Sequence, residues 1–212
     1  MTLNELRERV RSLSGIRQTE LSPNDRLNDL LNEAYLELAG IEDWPWLYVD
    51  LPTVSVSASE AEVDLPVEFR TFTGVLFDGQ RLHQVTLADL DEAGIDEEGD
   101  PYAWARLSHD RIKLIPTPTD SGTLRLRGYS QVSRLEADGD EPVFDPEFHH
   151  LLAYVAAARL LIEEADDSER AELYADQVRD GFANMRTRYL KAHERMPLQL
   201  GARAVRRRQW RL

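Results

Sequence analysis

The chain of 212 residues contains no cysteine, and that one absence removes disulfides, thiolate metal ligands and a cysteine nucleophile together. It has no run of about 18 apolar residues, so no membrane-spanning helix is expected. The first residues, MTLNELRERVRSL, mix both charge signs on an amphipathic pattern. They lack the basic-then-apolar layout of a secretory signal, and a cytoplasmic protein is expected. Glycine-rich phosphate loops of the Walker or dinucleotide kind are missing, since the DGQ and SGT stretches are ordinary turns. So is the Gly-x-Ser-x-Gly elbow from which a hydrolase triad would start. Internal repeats with a period of about 20–50 residues are not visible either. Aromatics are scarce, 8% of residues with only four tryptophans, so two tryptophans set close together need a reason.

What remains is a globular composition, 42% hydrophobic and 30% charged, in a chain long enough to bury a real core. The net charge of -14 hides an asymmetry. From Arg186 onward nine basic residues face Glu194 alone, a local charge of +8, which leaves -22 on residues 1–185. A body this acidic repels nucleic acid and other polyanions, whereas the end of the chain attracts an acidic surface.

Helical spacing opens the chain. Thr2 and Glu5 form a capping box ahead of Leu3, Leu6, Val10 and Leu13. Ser22-Pro23 then supplies a cap and a first-turn proline, and Leu27, Leu30, Leu31, Ala34, Tyr35 and Leu38 form the next stripe, with Gly40 as its stop. The period changes to two in the middle of the chain. YVDLPTVSVS, AEVDLP, FRTFTGVLFDGQRLHQVT, YAWARLSHDRIKLIP and GTLRLRGYSQV alternate apolar and polar residues around turn signals at Asp78-Gly79, His109-Asp110 and Asp120-Ser-Gly122. About five or six short antiparallel strands are expected, interrupted by a helical turn that Thr86 caps with Asp89. Helical spacing returns after Asp145-Pro146, breaks at Asp166-Asp-Ser-Glu169, and resumes with Leu173, Val178, Phe182, Met185 and Tyr189.

The expected fold class is α+β and mainly helical. A bundle of about four helices carries an antiparallel β module inserted between its N-terminal and C-terminal helix pairs, with an extended basic tail at the end. In residue terms this is a single domain over 1–195, with helices at 2–13 and 23–40, a β module at 47–135 and helices at 146–165 and 168–195. Residues 196–212 form the tail.

Three stretches invite a chemical reading. FDPEFHH places Asp145, Glu147, His149 and His150 within six residues, and Asp145 and His149 at i,i+4 could share a metal. Asp145 is already required as a helix cap, however, and adjacent histidines point about 100° apart on a helix. A capped helix start with half-exposed histidines is expected instead. DEAGIDEEGDP is dense in carboxylates but lacks the alternating ligands and closing glutamate of a calcium loop, so it reads as a solvated acidic loop, flexible or facing a lumen. ARAVRRRQWRL interleaves five arginines with Trp210. That composition suits either phosphate binding with stacking or docking on an acidic protein groove, and the acidity of the body favours docking. Neither a cofactor nor a metal is expected, and no catalytic residue is assigned.

The tryptophans sit in GIEDWPWLY, after the second helix. Pro45 disfavours helix at Trp44 and directs the chain into an extended path. Tyr35, Trp44, Pro45 and Trp46 are therefore expected to anchor the end of the helices where they meet the β region, with partners needed for the indole N–H groups.

The segment LNEAY around Asn32 and Tyr35, followed by WPW at 44–46, resembles the head-to-tail connector proteins of tailed bacteriophages, also called adaptor or head-completion proteins. LIPTPTDSGTLRLRGYSQVSRL, EPVFDPEFHHLLAYVAAARL and DDSERAELYADQVRDGFANMRTRY are similar to later segments of that family, in the same order. The resemblance implies a structural virion protein of the neck, present in the host cytoplasm during assembly, without enzymatic activity or membrane contact. Twelve copies would form a ring under the portal protein ring, extend the channel through which double-stranded DNA passes without specific binding, and receive the next neck or tail protein. The portal-binding residues would be Arg203, Arg206, Arg207, Arg208, Trp210, Arg211 and Leu212. The alternatives are a DNA-binding regulatory or packaging-associated protein that uses the same arginines, a stopper or tail terminator, and a metal-dependent enzyme built on Asp145, Glu147 and His149.

Overall fold

The computed structural model describes residues 1–15, 24–50, 53–65, 69–89, 97–108 and 110–190. These fall into two compact units, one drawn from Met1–Leu31 and Phe144–Leu212 and the other from Asn32–Val143.

The first unit is helical, comprising α1 (Leu3–Ser14), the opening turns of α2 (Asn24–Ile41), α3 (His150–Leu160) and α4 (Ser168–Tyr189). At the start of α1 the Thr2 hydroxyl accepts from the Glu5 N–H at 3.3 Å, and the Glu5 carboxylate accepts from the Thr2 N–H at 3.0 Å. Two orphan donors are satisfied reciprocally. The helix ends where Gly15 adopts a φ of 68° and returns its N–H to the Arg11 carbonyl. Leu3, Leu6 and Val10 are fully buried, as their spacing requires. α1 packs on α3, and α3 on α4. α3 buries Ala153, Ala156 and Ala157 among its leucines. Gly181 of α4 comes so near that a Cβ there would lie 2.3 Å from Leu151 Cδ2. A π-helical turn at Leu161–Ala165 and Asp166 at a φ of 49° reverse the chain, and the Asp167 carboxylate accepts from Arg170 N–H to restart it. Arg170 and Tyr174 both donate to the carbonyl of Leu13, one of the orphan acceptors at the end of α1.

The second unit holds the rest of α2, a 3-10 turn at Pro45–Leu47 and, among its described residues, eleven strands. They are β1 (Tyr48–Asp50), β2 (Val54–Val56), β3 (Glu62–Asp64), β4 (Phe69–Phe77), β5 (Gln80–Arg81), β6 (His83–Val85), β7 (Glu98–Gly99), β8 (Ala103–Arg106), β9 (Arg111–Ile115), β10 (Thr117–Pro118) and β11 (Gly122–Ser130). One sheet runs β1-β11-β4-β5, with β2 also on β11. A second runs β3-β9-β8-β6, and β7 pairs with β10 alone. Val75, Phe77, Leu124 and Leu126 of the first sheet and Val63, Trp104, Ile112 and Leu114 of the second share one core. Period-two alternation is what turns those side chains inward. Asp78 and Gly79, at φ values of 46° and 84°, close the β4–β5 hairpin. The β11–β4 register slips beside Gly128, where a Cβ would fall 2.1 Å from the Thr71 carbonyl oxygen. Only glycine allows that close approach.

The expectation of a mainly helical four-helix bundle is corrected by this architecture. Helices take 45% of the described residues and strands 27%, and the strands form a two-sheet body with a core of its own. The protein is α+β, but not a bundle with an appended module. Strands also outnumber the five or six expected, and β6–β8 and β7–β10 pair in parallel. Strands of two or three residues carry too few alternations to register as a period, and parallel pairing leaves no local mark. Gly40 does not stop α2, which continues to Ile41. The chain enters α3 through a 3-10 turn at Pro146–Phe148 for which Asp145 provides no side-chain cap. Its carboxylate instead pairs with Arg188 at 2.8 Å. The Ser22-Pro23 cap, most of the acidic loop, His109 and the tail from 191 to 212 lie outside the described residues.

Candidate assembly surfaces

Within the second unit, long-range hydrogen bonds tie the later turns of α2 to the segment that follows β11. Asn32, 2% exposed, donates its amide N–H to the Leu135 carbonyl at 3.0 Å and accepts from the Leu135 N–H at 2.7 Å. Tyr35 is buried and its hydroxyl accepts from Val143 N–H at 3.1 Å, while burial pushes its phenol above the ordinary range. Trp44 takes an extended ψ of 135° before Pro45, is 0% exposed, and donates its indole N–H to the Leu38 carbonyl at 2.8 Å. Trp46 stacks beside it with ring centroids 6.1 Å apart.

Arg70 of β4 completes the C-terminus of α2. Its guanidinium donates to the Ala39 and Glu42 carbonyls, both at 2.7 Å, and pairs with the Asp43 carboxylate. A fork of donors thus satisfies acceptors that a helix end leaves open, which is why Gly40 is not needed as a stop. Arg70→Ala is expected to cost about 2–3 kcal/mol in urea unfolding. Arg70→Lys should recover little of it, because an ammonium lacks the planar fork.

Two adjoining cavities open beside the segment that follows β11. The larger, about 530 Å³, is lined by Tyr35, Trp46, Leu47, Val49, Asp140, Glu141, Val143 and the chain from Ser130 to Leu135. The smaller, about 260 Å³, is lined by Leu36, Ala39, Gly40 and Arg70 and shares Leu47 and Ser130–Val132. Tyr35 and Trp46 therefore line a groove, whereas Trp44 is core.

The outward face of the first sheet has a different character. Pairing places Arg81, Leu76 and Arg125 in one row, Gly74, Arg127 and Asp50 in the next, and Thr71, Tyr129 and Tyr48 in a third. Arg125 donates to both Asp50 oxygens at 2.9 and 2.5 Å, and Arg127 lies 3.5 Å from the same carboxylate. The Arg125 hydrogen bonds hold that carboxyl below its ordinary range. Tyr48, 47% exposed, meets Tyr129 edge-on at 5.8 Å.

The four side chains of FDPEFHH are divided among separate partners. Arg188 takes Asp145 and Glu147, and the Asp145 N–H donates to the Tyr189 hydroxyl. His149 was expected to be half-exposed but is 1% exposed, with one ring nitrogen 2.8 Å from the Phe144 carbonyl and the other 2.7 Å from the Met1 amine. His150 lies against Tyr154. Among the described residues no group of three or more histidines and carboxylates could hold a metal ion, and no helix is long and apolar enough to cross a membrane. Arg203, Arg206, Arg207, Arg208, Trp210, Arg211 and Leu212 lie outside the described residues.

Sequence reasoning named Asn32 only within the LNEAY segment and gave it no structural role, and it did not single out Arg70 or the rows around Arg125 and Arg127. The alternation LRLRGY was the available signal for the last, since it puts both arginines on one side of β11.

Among curated proteins none matches the chain. The model of the family described as SU10 adaptor protein matches residues 1–207. Matched over nearly its whole length, the chain belongs to the SU10 adaptor proteins, a structural head–tail adaptor family of bacteriophages.

Proposed function

We propose that this protein forms a ring beneath the portal in the virion neck, extends the DNA channel and offers the surface on which the next neck or tail protein assembles. The family match over residues 1–207 carries this reading. Twelve copies act together, residues 1–195 serve as the adaptor body, and residues 196–212 serve as the arm that reaches the portal. Arg203, Arg206, Arg207, Arg208 and Arg211 give the arm its charge, and Trp210 and Leu212 its apolar anchors. The charge of -22 on residues 1–185 supports a wall past which DNA slides, because phosphate contacts are what retain a duplex. Weak contacts from a basic arm gain strength when many copies engage one ring.

Electron microscopy of the portal ring from the same genome, mixed with the full chain or with a chain ended at Gly201, tests this. Density capping the portal with the full chain is expected. Truncation should weaken binding by about a hundredfold or more, since avidity multiplies each lost contact. Portal binding that is unchanged by truncation removes the arm from the reading. If neither version adds density and the free protein shifts duplex DNA with a steep salt dependence, the protein is a DNA binder instead.

A further inference from the structure

The arginine–tyrosine face of the first sheet is not assigned by membership of the adaptor family. We propose that it binds the acidic outer face of α2 on a second copy of this chain. The inference rests on the ring proposed above and names the two surfaces that would join neighbours in it.

Three guanidinium groups, on Arg81, Arg125 and Arg127, share this face with the carboxylate of Asp50, and Asp43, whose charge reaches Tyr129, is already paired with Arg70, so the face carries a surplus of positive charge on a chain of net -14. Asp78 bounds it at the hairpin end, where its carboxylate accepts from Thr123. Gly74 puts no side chain in the middle row, and its nearest neighbour would be Arg127 Cβ at 4.0 Å. An incoming side chain therefore has room between the arginines. Arginine and tyrosine are the residues that interface cores favour.

The complement is found on the same chain. Asp25, Asp29, Glu33 and Glu37 are exposed and spaced by four residues along α2, so they form one stripe. Successive carboxylates rise by about 6 Å on a helix. Arg125 and Arg127, two apart on a strand, are about 6.7 Å apart. The long side chains absorb the difference. Leu36 and Ile41, 41% and 58% exposed, flank the stripe and give the contact an apolar part next to Tyr48 and Tyr129. Because the two faces differ, the contact is heterologous, and such contacts close into rings when the rotation permits.

The test compares four full-length chains by electron microscopy and sedimentation, with and without the portal ring: wild type, Arg125→Glu with Arg127→Glu, Asp29→Lys with Glu33→Lys, and all four changes together. Wild type should form rings. Each single-face reversal should raise the concentration for half-assembly by about tenfold or more, and the fourfold chain should regain assembly. Circular dichroism and thermal unfolding establish that each chain folds. If reversal beside Asp50 disturbs the sheet, Arg125→Gln with Arg127→Gln removes the charge alone and should still weaken assembly. Rings that form equally well with the sheet variants, or a fourfold chain that is not rescued, overturn this interface and leave the ring intact. A wild type that forms no ring with or without the portal overturns the ring reading itself. Sheet variants that keep their rings but lose affinity for duplex DNA make the face a phosphate surface and overturn the proposal.

Discussion

Asn32→Asp is expected to destabilise the protein by about 3 kcal/mol at neutral pH, and to lose much of that penalty on acidification. The Asn32 amide forms a two-bond pair with the backbone of Leu135 at a site 2% exposed, 103 residues away in sequence. An ionised carboxylate keeps the bond from the Leu135 N–H, but its second oxygen faces the Leu135 carbonyl with no proton to give. Burial of the charge adds to that cost. A protonated carboxyl restores the donor and nearly reproduces the amide. The folded-state pKa of the introduced group should therefore lie above the ordinary value of about 4. Its stabilising contribution is present below that ordinary value and is lost as pH rises through the elevated one, with a slope of at most about 1.4 kcal/mol per pH unit. Urea unfolding of variant and wild type at several pH values should show the gap between them narrow toward pH 4 or so. Asn32→Leu is the control, since it leaves both Leu135 groups without this partner at every pH. A gap for Asn32→Asp that is constant with pH would mean that the amide N–H to Leu135 contributes little.

That partner also marks the limit of what the sequence shows. The capping box of α1 is local, and Thr2, Glu5, Leu3, Leu6 and Val10 hold their expected places because everything that specifies them lies within nine residues. The stripe of α2 is equally local, and Leu27, Leu30, Leu31, Ala34, Tyr35 and Leu38 are all buried. Its end is not local. The donors that close α2 belong to Arg70, which no spacing rule connects to Ala39 or Glu42. Asp145 illustrates the reverse error. An aspartate before a proline reads as a cap, yet Arg188 claims its carboxylate.

The sheets follow the same division. β4 and β11, nine residues each, announce themselves by alternation, whereas β5, β7 and β10 have two residues apiece and no period to read. The candidate surfaces were legible only in part. LRLRGY fixes Arg125 and Arg127 on one side of a strand, but their placement beside Tyr48 and Asp50 depends on the β1–β11 register, which is set across almost eighty residues. Tyr35 and Trp46 could be singled out by type. That they line a groove follows from the segment after β11 passing beside them.

Trp44→Ala should cost about 3–5 kcal/mol, which is the range for emptying an aromatic site in a core. Trp44 is fully buried, and its indole N–H is committed to the Leu38 carbonyl near the end of α2. Trp44→Phe keeps most of the volume and gives up the hydrogen bond, for an expected loss of about 1 kcal/mol or somewhat more. Trp46 is only half-buried, so Trp46→Ala should cost about 1–2 kcal/mol. The order of the two alanine variants in chemical denaturation decides how the corner works. If Trp44→Ala costs more, the pair divides into a core anchor and a groove wall, and Pro45 serves to set Trp44 extended where α2 ends. If Trp46→Ala costs as much or more, the stacked pair acts as one packed unit. A Trp46→Ala chain of nearly normal stability that binds the portal or the next neck protein poorly would place the groove, rather than the core, at the working surface.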